Sequence, residues 1–156
     1  MNAYSEKAKD LFRQGYNCSQ AVFATFADEL GIDFDTALKI SSSFGGGMGR
    51  LREVCGTVSA MFLIAGIKYG YTSPTNQVAK TEHYKRIQEL AETFKIKNNS
   101  IVCRELLGLD KADMKNIGYV PEIRNDQYYK KRPCVELVGD AAEIIGKYIE
   151  ENKMYA

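Results

Sequence analysis

One stretch, Phe44–Gly70, constrains this chain more than any other: FGGGMGRLREVCGTVSAMFLIAGIKYG. Four of its first six residues are glycine, so the backbone there reaches conformations closed to residues that carry a side chain. Behind the glycines, Val54–Ile67 is an apolar run of 14 residues broken only by small or weakly polar ones. A bilayer span needs roughly 20 such residues, so the run predicts a buried core helix over about 54–68 and no membrane insertion. Cys55 lies at the seam between loop and helix. A glycine loop feeding a buried helix, with a thiol at the junction, has the character of a site.

The remaining helices follow from periodicity and punctuation. The chain has only three prolines and little period-two alternation, which argues against strands. Tyr4, Ala8, Leu11 and Phe12 fall at helical spacing, with Gly15 as the stop. Asn17 is an N-cap for a second helix carrying Ala21, Val22, Phe26 and Leu30, which Gly31 closes. Asp33 or Asp35 caps a third through Ala37, Leu38 and Ile40, ending near Ser43. Ser73–Pro74 predicts the start of a long charged helix to about Lys97, with Ile87, Leu90, Ala91 and Phe94 on its apolar face. Ser100 is a cap for a short helix, Ile101–Leu107, closed by Gly108. Residues 110–132 have weak periodicity and predict turns with one short helical piece. Pro133 opens the last helix, whose core face is Leu137, Val138, Ala141, Ile144, Ile145 and Tyr148. The sum is an all-α, single-domain bundle of six or seven helices in 156 residues, around the central apolar helix.

Composition narrows function mainly by exclusion. A net charge of +1 gives no reason to expect nucleic acid as a partner. The first fifteen residues carry no apolar signal-peptide region, so the expected location is cytoplasmic. In that reducing compartment, cysteines serve as metal ligands, redox groups or core fillers more often than as permanent disulfides. The four cysteines are Cys18, Cys55, Cys103 and Cys134, with no CxxC pair among them. The chain's one histidine, His83, leaves little material for a histidine-rich metal site.

Placed on the helix map, each cysteine falls in a first helical turn. Unpaired backbone N–H groups and the positive end of the helix dipole favour an anion there, so the thiol pKa values are expected to be lowered. The order of Cys18, GGGMG with CGTVSA at Cys55, Cys103 in CRELLG, and Cys134 before a terminal helix resembles the C-GCAxxG-C-C family, which is described as redox-active. The resemblance runs from about Tyr16 to Ile149. Thr57 and Ala60 depart from the family's element, standing for alanine and glycine, and Ala60 adds a methyl group on the small-residue helix face.

Three functions compete. Four convergent thiolates suffice for an iron–sulfur cluster used in electron transfer, with Gly46 and Gly47 bringing backbone N–H groups near the sulfurs. A four-thiolate zinc site is geometrically equivalent but redox-silent. Without a cofactor, two of the thiols would form a reversible disulfide pair, and Lys130, Lys131 and Arg132 would favour a thiolate at Cys134. A non-redox alternative is a small-anion module built on GGGMGR with Arg50 and Arg52, although the loop lacks the preceding strand and the Lys-Ser/Thr pair of a P-loop. Glu82 and His83 are expected on a solvated helical face. The redox partner is unknown, and the small-residue side of the apolar helix offers a surface for a homodimer.

Overall fold

In the computed structural model, residues 2–153 are described, and they are all-α, with no strand among them. Six helices have eight or more residues: α1 (Ala3–Arg13), α2 (Cys18–Thr25), α4 (Phe34–Ser41), α6 (Gly56–Tyr69), α7 (Gln77–Asn98) and α11 (Cys134–Glu151). Short helical turns join them: α3 (Ala27–Leu30), α5 (Gly45–Met48), α8 (Cys103–Leu106), α9 (Lys111–Lys115) and α10 (Asp126–Lys131). Helix α6 packs against α2, α7 and α11, and α2 also touches α1 and α4, so the two apolar helices share the centre.

Side-chain chemistry accounts for most boundaries. Asn17 closes a capping box with Gln20 at the start of α2, and the Asp33 carboxylate accepts from the Thr36 amide at the start of α4. The second helix is interrupted at Phe26, and the chain resumes as α3 before Gly31 ends it in the left-handed region. Phe12, Phe23, Phe26, Met61, Ile64, Phe94 and Ile145 are completely or almost completely enclosed and form the core. An ion pair from the exposed Lys97 Nζ to the buried Asp140 Oδ1, at 2.9 Å, ties α7 to α11.

Several expectations need correction. The long helix begins at Gln77, because Asn76 caps it while the Ser73 hydroxyl accepts from the Thr75 and Asn76 amides in a turn ahead of it. Ser100 does not cap the next helix. Residues 101 and 102 are drawn out by an antiparallel bridge between Val54 and Val102, so α8 starts only at Cys103. Residues 110–132 hold two short helices, α9 and α10, each begun by an Asx cap.

The packing predicts that Phe94→Ala lowers unfolding stability by about 3–5 kcal/mol, since the ring is fully enclosed and its loss leaves a cavity. Ile96→Ala, on the exposed side of the same helix, is expected to cost under about 0.5 kcal/mol. Urea denaturation of the two variants checks both values.

Candidate functional site

The four cysteines are far apart in sequence, and the fold brings all of them to the wall of one cavity of about 300 Å³. Cys18, Cys103 and Cys134 are the first residues of α2, α8 and α11, and Cys55 is the N-cap of α6. All four thiols are free. A backbone clamp holds two of the segments side by side. The Cys55 amide donates to Ile101 O at 2.8 Å, the Cys103 amide to Glu53 O at 2.6 Å, and the Arg104 amide to Arg52 O at 3.2 Å. Cys55 and Cys103 are therefore fixed relative to each other by main chain alone.

Glycine is required where backbone meets sulfur. A Cβ on Gly56 would lie 2.6 Å from Phe44 O and 2.7 Å from Cys18 Sγ, so the bare start of α6 is what admits the Cys18 thiol. The small-residue requirement of the helix thus falls at Gly56, while Ala60 is simply buried. Gly46 turns through φ +69°, and its backbone N–H serves as hydrogen-bond donor to the Cys18 sulfur; Gly47 packs on the Cβ of Cys103. The left-handed conformations continue through residues with side chains, Met48 at +71°, Arg50 at +70° and Arg52 at +61°. Such geometry persists only where surrounding contacts over-determine it.

Each sulfur has a distinct polar neighbour. Cys55 Sγ lies 3.1 Å from the Thr57 hydroxyl. The buried Arg52 guanidinium donates to Cys103 Sγ at 3.6 Å. The Tyr128 hydroxyl and Arg132 stand at Cys134. Tyr119, Pro121, Glu122 and Arg124 of the segment 118–125 border the cavity as a strap. Arg124 fastens it by donating to the Phe12 and Tyr16 carbonyls at 2.6 and 2.9 Å, with its guanidinium 3.9 Å from the Phe12 ring centre. Glu122 pairs with Arg132 and, at 4.0 Å, with Arg52.

The electrostatics reverse one expectation. Loss of solvent pushes the Cys18, Cys55 and Cys134 thiols up, Cys134 to about 12. Neighbouring sulfurs add to the rise: Cys103 acts on all three, and Cys18 on Cys55 and Cys134. The lowering from N–H groups, hydroxyls and arginines is smaller. Burial outweighs the helix dipole here because the positive helix ends act on groups that have lost their water. Of the basic cluster before Cys134, Lys130 and Lys131 are exposed, and Arg132 is the member that lowers the Cys134 thiol pKa.

Four soft donors around a cavity of this volume fit a group larger than one ion. A tetrahedral zinc at about 2.3 Å from each sulfur draws the sulfurs to about 3.8 Å of one another. Among the described residues no group of three His, Cys, Asp or Glu side chains is disposed to hold a metal ion. His83 takes no part. It is buried on α7 between Tyr71 and Arg86, correcting the expectation of a solvated face, and burial holds its pKa below the usual range. Glu82 is exposed as expected. Sequence reasoning missed the site roles of Gly56, Tyr128, Arg124 and Glu122. Only Gly56, beside Cys55, carried a local signal.

Two measurements follow. Gly56→Ala is expected to cost about 1–3 kcal/mol by overpacking, read by thermal unfolding. With raised pKa values, thiolate is scarce at neutral pH. Iodoacetamide should therefore modify Cys18, Cys55 and Cys134 of the reduced, folded, metal-free protein at least about tenfold more slowly at pH 7.5 than in urea, with the rate climbing as pH rises. Equal rates in both states would contradict the burial argument.

No described helix is long and apolar enough to cross a membrane. No curated protein and no solved structure matches the chain. A family model described as "Putative redox-active protein (C_GCAxxG_C_C)" matches residues 16–148. With all four of its cysteines gathered at one cavity, the chain belongs to the C_GCAxxG_C_C family.

Proposed function

We propose that the four cysteines work as a single redox centre and hold an iron–sulfur cluster for electron transfer. The observation that carries this reading is the meeting of all four thiols, from four separate elements, at one cavity. Such a cluster supplies one-electron chemistry at a potential set by its surroundings. The chain's own residues would set those surroundings: the Gly46 amide at Cys18, the Thr57 hydroxyl at Cys55, Arg52 at Cys103 and Tyr128 at Cys134. Their donors are aimed at sulfur, and hydrogen bonds to a sulfur stabilise its negative charge. Cys18, Cys55 and Cys134 are held protonated by burial, so they must release protons to become ligands, and loading is expected to weaken as pH falls.

Cofactor-free thiol–disulfide exchange is the second reading. The four free thiols at one cavity favour it, whereas the scarcity of thiolate at Cys18, Cys55 and Cys134 works against any of these three as the attacking nucleophile.

Protein purified under strict anaerobiosis separates the two. The cluster reading predicts iron and acid-labile sulfide in matching amounts, with a visible absorption band bleached by dithionite. Colourless protein with two titratable dithiols at equilibrium would overturn it in favour of exchange.

A further inference from the structure

A second cavity, of about 450 Å³, lies against the first and shares Arg50, Arg52, Glu122 and Arg132 with it as a common wall. Four cations border it, Arg50, Arg52, Lys131 and Arg132, against two carboxylates, Asp113 and Glu122. Both carboxylates are already engaged. Glu122 is shared between Arg52 and Arg132, and Asp113 accepts from the Asp110 amide in the capping box of α9. Among the described residues, Arg50 and Lys131 have no ion-pair partner.

Arg50 is the more exacting of the two. Its backbone is left-handed, its Nη1 donates to the Val120 carbonyl of the strap, and its Nε is buried without any hydrogen-bond partner. Buried N–H groups are satisfied as a rule, and this one has no acceptor in the protein. Desolvation and the neighbouring Arg52 both disfavour the Arg50 charge, which a bound anion would relieve. Guanidinium groups match carboxylate and phosphate oxygens in geometry as well as charge.

We infer that this second cavity binds a small molecule carrying an anionic oxygen group, carboxylate or phosphate, with Arg50 and Lys131 as its principal partners. The anion sits across the arginine wall from the thiols, with Arg52 reaching Cys103 on the other side. The position differs from a phosphate cradle in the glycine loop, since neither Gly46 nor Gly47 borders this cavity. The site stands whether or not the thiols carry a cluster, so its failure and that of the redox reading are separate results.

Calorimetric titration of the reduced protein tests it, with inorganic phosphate and malonate as probes in chloride buffer of constant ionic strength. Saturable binding of at least one probe is expected at one site, and the preferred probe tells phosphate from carboxylate. Arg50→Gln and Lys131→Gln should each weaken binding about tenfold. Lys85→Gln, which removes an exposed lysine paired with Glu89 on α7 outside the cavity, should leave it unchanged. Lys131 is exposed, so its variant keeps the test decisive should Arg50→Gln fail to fold. No saturable binding of either probe, or equal binding by the wild type and Lys131→Gln, would overturn the inference.

Discussion

Positive potential gathered around four cysteine sulfurs is the constraint on which the rest of this structure turns. Three helices of eight or more residues, α2, α6 and α11, start at the thiol cavity, and the short turn α8 starts beside them. The first turns of these helices border a common space, and Arg50, Arg52, Arg124 and Arg132 line the same wall. Among the described residues, Glu122 is the one carboxylate that lines the cavity, and it is shared between Arg52 and Arg132. The pocket thus gathers more positive charge than that carboxylate offsets.

The architecture around the cavity follows from holding these starts in place. The clamp between residues 52–55 and 101–104 fixes Cys55 against Cys103 through main-chain hydrogen bonds, whose geometry tolerates little slack. The bare Gly56 lets Cys18 approach the start of α6. Arg124 then ties the strap 118–125 to the chain after α1 by donating to the Phe12 and Tyr16 carbonyls. Left-handed backbone at Met48, Arg50 and Arg52 is concentrated in the segment that joins these parts. Strain placed there sets the directions of Arg50 and Arg52, and through Arg52 it touches Cys103.

Much of the fold was legible because its signals are local. Asn17 and Asp33 act as caps within three residues of themselves, and the apolar run at 54–67 needs no partner to announce a buried helix. The placement of each cysteine at a helix start was legible for the same reason. What escaped depends on distant partners. Ser100 resembles a cap, yet Val54 captures the chain two residues on. Arg124 contributes through carbonyls more than a hundred residues away, which no spacing rule reports. The sign of the thiol pKa shifts failed likewise: the helix dipole can be inferred from one segment, whereas desolvation is a property of the whole assembled cavity.

The central claim is that four thiols form one centre instead of two pairs or four independent groups. Single serine replacements at Cys18, Cys55, Cys103 and Cys134, each prepared anaerobically and assayed for iron, sulfide and reduction potential, test it most directly. One shared centre predicts that every replacement lowers cofactor content or shifts the potential, with no position silent. If two of the four positions accept serine with content and potential unchanged, the single-centre account is wrong.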